Sequence, residues 1–144
     1  MIKLTIEDDE EILKRYGLVT ALYSSIDYLL EEFIRLEGGL HKANKEIVNL
    51  LLDKKTLGTK IDLANKLIID AELKNKMELG LKDRNILTHG VSVDQGGNKF
   101  LMTKGGYHPL TTSELDKMIA RARELGEGII KEIQKRHQLT TLSN

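Results

Sequence analysis

The chain has 144 residues, enough for one domain (1–144) with a core of ordinary size. Twenty-two basic residues balance twenty-two acidic ones, which argues against a general nucleic-acid coat protein while leaving room for a local basic patch. With no cysteine, disulfides and thiolate metal sites are excluded, and a reducing cytosol is compatible. Residues 1–10 turn acidic within seven positions and show no signal-peptide pattern. No apolar run approaches the roughly 20 residues of a membrane helix, so a cytoplasmic protein without a membrane partner is expected. One proline, no tryptophan and abundant Leu, Ile, Lys and Glu favour helices.

The first predicted helix is long. Ile12, Tyr16, Val19, Tyr23, Ile26, Leu30 and Phe33 recur at alternating steps of four and three, a heptad seam that Leu22 and Leu29 widen into the stripe of a bundled helix. Thr5 and Asp8 are its candidate caps and Gly38-Gly39 its stop. Over 8–37 it would be roughly 43 Å long. A shorter helix is predicted near 45–54, with Ile47, Leu50 and Leu51 inward. After a break at 54–58, Thr59 with Asp62 suggests the N-terminus of a third helix reaching Ile69. Asp70 is the candidate cap of a fourth, 71–88, that Gly90 stops. Residues 91–102 read as two strands around Asp94-Gln95-Gly96-Gly97, and Gly105-Gly106 closes the excursion. Thr111 and Glu114 form a candidate capping box for a last helix to about His137, with Leu115, Met118, Ala122, Leu125, Ile129 and Ile133 inward. The tail from Gln138 is polar. The expected fold is all-α: a helical bundle of four main helices plus a short one, with a β-hairpin inserted before the last.

The chemistry concentrates at Arg84-Asn85-Ile86-Leu87-Thr88-His89-Gly90. Steps of four back from His89 give Asn85, Leu81, Met77 and Leu73, so a stripe that begins as core ends in an amide and an imidazole. Buried without partners, these would cost roughly 1–3 kcal/mol each. No His-x-x-x-His or Glu-x-x-His spacing appears, which makes a metal site unexpected, and there is no P-loop and no nucleophile elbow. Arg-x4-His alone is weak: Arg35 and His41 repeat a similar spacing, but with Gly38-Gly39 between them. Only Arg84 and His89 sit together at the end of one well-formed helix. Five residues apart, they lie about 140° apart around it. They cannot easily grip one atom unless the last turn unwinds or a two-fold partner completes the site.

This segment resembles the HEPN superfamily (higher eukaryotes and prokaryotes nucleotide-binding), whose small helical bundles carry Arg, four to six residues, then His, often with Asn after the Arg. A long first helix, the motif in a late helix and a closing helix extend the resemblance. It implies a metal-independent endoribonuclease of toxin–antitoxin, antiphage or RNA-processing systems, acting as a homodimer without a cofactor. It implies that His89 transfers a proton at the ribose 2′-hydroxyl or the leaving 5′-oxygen. Arg84 would hold the scissile phosphate, and Asn85 would orient His89 or bind a phosphate oxygen. The products would carry 2′,3′-cyclic phosphate, and an antitoxin protein is a further implied partner. Members paired with a nucleotidyltransferase antitoxin often carry Tyr two residues after the His; Val91 stands there, which puts that regulation in doubt.

Structural readings stand beside these. Arg84 can be an exposed, salt-bridged helical arginine, His89 a cap on the last carbonyls, and Asn85 a partner for loop backbone. Lys82, with Lys74 and Lys76, is a solvated face or an RNA track; Lys99 and Lys104 of the hairpin contact RNA or merely cover the bundle. Tyr16, Tyr23, Tyr28 and Phe33 are read as packing. The alternatives to a ribonuclease are a non-catalytic RNA- or nucleotide-binding or dimerisation module of the same family, or a helical adaptor outside it.

Overall fold

The computed structural model describes residues 9–39, 56–68 and 70–141. The elements are α1 (Glu10–Ile34), α2 (Leu57–Leu67), α3 (Ala71–His89), β1 (Val91–Gln95), β2 (Asn98–Thr103), β3 (Gly106–Pro109) and α4 (Thr112–Thr141). The fold is mostly helical, with a small antiparallel sheet before the last helix. The helix expected at 45–54, the caps Thr5 and Asp8, His41 and the last three residues lie outside the described residues.

On α1 the seam is core: Ile12, Val19, Tyr23, Ile26, Leu30 and Phe33 are buried and Tyr16 half-buried. A spacing averaging 3.5 residues drifts only about 20° per heptad around a 3.6-residue helix, so the seam keeps to one side of α1, where α4 and α2 pack. Asp9 is the cap, accepting from the Glu11 and Ile12 N–H groups at 3.0 and 3.1 Å. At its far end α1 does not stop before the glycines but widens into a π-helical stretch, Arg35–Gly39. Arg136 of α4 clamps this end. Its guanidinium lies 4.9 Å over the Phe33 ring, pairs with Glu37 at 2.8 Å and donates to the Leu67 carbonyl at 2.8 Å.

The cap of α2 is Thr56, not Thr59: the Thr59 N–H donates to Thr56 Oγ1 at 3.2 Å, so Thr59 is the residue served. Lys60, absent from the sequence expectations, is buried against α1, with Nζ 2.9 and 3.1 Å from Asp27 and 2.6 Å from Glu31. Burial opposes its charge, but the hydrogen bonds to Glu31 and Asp27 outweigh it and raise its pKa. On α4, Leu115, Met118, Ile119, Ala122, Leu125 and Ile129 are buried, and Thr111 Oγ1 accepts from the Glu114 N–H at 3.1 Å.

The excursion has three strands in the order β1-β2-β3, not two. Gln95 pairs with Asn98 across Gly96-Gly97, whose φ angles of 63° and 86° suit glycine in a tight hairpin turn. The second turn is Lys104-Gly105, and Gly106 already belongs to β3. A four-residue strand ending in Pro109 carries little sequence signal, and an edge strand is where a proline is tolerated. Tyr107 on β3 meets Phe100 on β2 edge to face, centroids 5.9 Å apart. Val93, Leu101 and Leu110 are buried, and β2 rests on α3.

Candidate functional site

Asp70 caps α3 as the sequence suggests, accepting from the Glu72 and Leu73 N–H groups at 2.9 and 3.4 Å. The buried face is Leu73, Met77, Gly80, Asp83 and Leu87. The line of four-residue steps does not stay on it, because each step over-rotates by about 40°. Leu73 and Met77 are buried, Leu81 half-buried, and Asn85 and His89 exposed. The expected problem of a buried amide and imidazole therefore does not arise. Gly90 ends α3, but in extended conformation at φ −73° rather than left-handed. Its N–H donates to the Ile86 carbonyl at 2.8 Å. A Cβ there would lie 2.4 Å from that oxygen and 3.0 Å from Leu101 Cβ, so close approach, not φ, calls for glycine.

Asp83, which the sequence reading passed over, is buried beside the motif. Both of its carboxylate oxygens accept from Arg121 of α4, at 2.6 and 3.0 Å. This hydrogen bonding raises the Arg121 pKa further. The buried Tyr23 ring lies against the pair; burial first, then the Asp83 charge, push its hydroxyl pKa up, and the oxygen makes no hydrogen bond of ordinary geometry among the described residues. The available signal was an acid in register with Met77, Gly80 and Leu87, which demands a cation opposite.

Next to this anchor, Arg84 is half-buried and carries no ion pair or hydrogen bond among the described residues. The other half-buried arginines each hold a carboxylate: Arg15 with Glu11 and Asp116, Arg35 with Glu32, Arg121 with Asp83, Arg136 with Glu132 and Glu37. Among the described residues Arg84 thus has no salt-bridge partner. Arg84 lines a cleft of about 350 Å³ between α1 and α3, with Tyr16, Thr20, Ser24, Asp27 and Thr88.

Asn85 and His89 line a different cleft, of about 560 Å³, with Ile86, Thr103, Lys104 and Gly105. The end of α3 is thus a ridge between two clefts, as the 140° separation requires. Neither Asn85 nor His89 bonds backbone at this helix end among the described residues; the Ile86 carbonyl is served by Gly90 N–H, and the Leu87 carbonyl accepts from the Tyr16 hydroxyl. The β2–β3 turn brings Lys104 into the same cleft as His89. Thr103 fixes that turn, accepting from Gly105 N–H at 3.2 Å and meeting His108 Nε2 at 3.1 Å.

The other basic candidates lie apart. Lys82 is exposed and lines neither cleft. Lys99 is turned to Asp9, 3.8 Å away, and Lys76 pairs with Glu72 at 3.5 Å. Tyr28 is 62 % exposed, against the packing role expected of it. Among the described residues no group of three or more His, Asp or Glu side chains is placed to hold a metal, and no helix is long and apolar enough to cross a membrane. Compared with protein-family models, curated proteins and solved structures, the chain matches none.

Proposed function

We propose that this protein is a metal-independent endoribonuclease of the kind its HEPN resemblance implies, built as a helical bundle. It works in the cytoplasm as a homodimer, in toxin–antitoxin or antiphage defence, with an antitoxin as a further partner. One observation carries the reading: a half-buried arginine that holds no carboxylate among the described residues, with an exposed asparagine next to it and an exposed histidine five residues on, neither of which has a hydrogen-bond partner among them. Side chains that stabilise a fold are normally partnered when shielded from water. Arg84 is instead held ready for an anion, and a lysine, Lys104, lines the same cleft as His89.

In the reaction the ribose 2′-oxygen attacks the neighbouring phosphorus, the bond from phosphorus to the 5′-oxygen breaks, and a 2′,3′-cyclic phosphate remains. One proton leaves the 2′-hydroxyl and one reaches the departing 5′-oxygen, so no water is consumed. His89 moves a proton at one of these oxygens, Asn85 and Lys104 hold phosphate oxygens, and Arg84 binds a phosphate of the strand.

The separation of Arg84 and His89 into two clefts favours a second reading, a non-catalytic RNA- or nucleotide-binding module. Labelled RNA incubated in excess EDTA with the wild type, Arg84→Ala and His89→Ala decides between them. Cleavage by the wild type, with cyclic-phosphate ends and a loss of about 10²-fold or more in His89→Ala, supports the enzyme. A folded dimer that binds but leaves varied RNAs intact supports the module. Equal cleavage by all three proteins rejects the site.

A further inference from the structure

The cleft between α1 and α3 is chemically one-sided. Arg84 is the cation on its α3 side, without a counter-ion among the described residues. On the α1 side the donors are already committed: Thr20 Oγ1 donates to the Tyr16 carbonyl at 2.8 Å, Ser24 Oγ to the Thr20 carbonyl at 3.2 Å, and the Tyr16 hydroxyl to the Leu87 carbonyl. What remains there is acceptor capacity: the lone pairs of Thr20 and Ser24, and those of Asp27. The Asp27 carboxylate shares Lys60 with Glu31 and remains 40 % exposed. Leu57 and Leu87 supply an apolar floor. A matching ligand therefore has an anion at one end and hydroxyl or amino donors at the other, on a body that fills about 350 Å³.

We propose that this cleft is a nucleotide subsite, in which Arg84 binds a phosphate and the Thr20, Ser24 and Asp27 oxygens accept from ribose hydroxyls or a base amino group. The choice of a nucleotide rests on the ribonuclease reading. The subsite lies across the α3 ridge from His89, so the phosphate on Arg84 belongs to the nucleotide next to the reacting one, not to the scissile bond. Arg84 then sets strand affinity, and His89 sets the rate.

The test is binding of the four ribonucleoside 5′-monophosphates, the matching nucleosides and inorganic phosphate, followed by NMR shifts of α1 and α3 amides. The proteins are the wild type, Arg84→Gln, Ser24→Phe (which fills the cleft from an exposed position) and Arg123→Ala, an exposed arginine elsewhere whose loss changes the charge equally. Thermal unfolding of each confirms that it is folded. A mononucleotide should bind at least tenfold more weakly to Arg84→Gln and to Ser24→Phe, and no more than twofold more weakly to Arg123→Ala. Nucleosides should bind at least tenfold more weakly than their monophosphates. Inorganic phosphate binding as tightly as any mononucleotide, no shift of these amides, or full affinity in Ser24→Phe would each overturn the subsite. No bond is broken in this assay, so binding here by a protein that cleaves no RNA defeats the ribonuclease reading alone. Cleavage with unchanged KM in Ser24→Phe defeats the subsite alone.

Discussion

Asp83 and Arg121 meet through two hydrogen bonds, 2.6 Å from Nε and 3.0 Å from Nη2, fixing α3 against α4 one residue before Arg84. Asp83 occupies the buried face of α3, so its neighbour at about 100° further round is turned toward the α1 cleft. The pair thereby sets the direction in which Arg84 points.

Loss of one partner should cost more than loss of both. Asp83→Ala leaves Arg121 beside the buried Tyr23 and is expected to destabilise by about 2–3 kcal/mol, less than a fully buried pair because Arg121 is about a third exposed. The double variant Asp83→Leu, Arg121→Met should recover most of that loss. Urea unfolding of the single and double variants measures it; equal stability of Asp83→Ala and wild type would show that the pair does not anchor α3.

Arg84→Ala, Asn85→Ala and His89→Ala should leave stability within about 0.5 kcal/mol of wild type, since none has a partner to lose among the described residues. This separates the site from its surroundings, because any effect on RNA then belongs to chemistry or binding. A drop in melting temperature of several degrees in His89→Ala would reveal a structural role for the ring.

Stability should decline in alkali. Tyr23 and Lys60 both have native pKa values raised above their ordinary 10.0 and 10.5, Tyr23 by burial and then Asp83, Lys60 by the ion pairs that overcome its burial. Above about pH 10 the unfolded chain releases these protons while the folded one keeps them, so stability present at neutral pH is lost as pH rises. Tyr23→Phe removes one contributor and no ordinary hydrogen bond. Its unfolding free energy should match wild type at pH 7 and fall less steeply above about pH 10. Identical slopes for the two proteins would refute the assignment to Tyr23.

Gly90→Ala should destabilise by about 1–3 kcal/mol, as overpacking does, because the new methyl group meets the Ile86 carbonyl oxygen and Leu101. Gly96→Asn, by contrast, should be tolerated, since asparagine readily takes the left-handed conformation of this turn. Chemical denaturation of both variants gives the comparison, and a Gly90→Ala protein as stable as Gly96→Asn would contradict the close approach described.

The long helices were legible because their cause is local. A seam at 3.5-residue spacing from Ile12 to Phe33, and another from Leu115 to Ile129, can only be buried as helix faces, and Asp70 and Thr111 cap where short polar side chains precede such faces. The hairpin turn was legible because Gly96-Gly97 permits left-handed backbone. The third strand was not, since a segment like Gly106–Pro109 becomes a strand only when β2 offers it hydrogen bonds. Sequence alone thus determined a mostly helical chain and brought Arg84, Asn85 and His89 to one helix end. Only tertiary structure decided which way they face. A helix turns 100° per residue, so its rotation against α1 and α4, fixed by Met77, Gly80 and the Asp83–Arg121 pair, put Arg84 in one cleft and His89 in another. The same packing brought Lys104 into the cleft of His89 and turned Lys99 away to Asp9, because residues distant in sequence meet only once the core has formed.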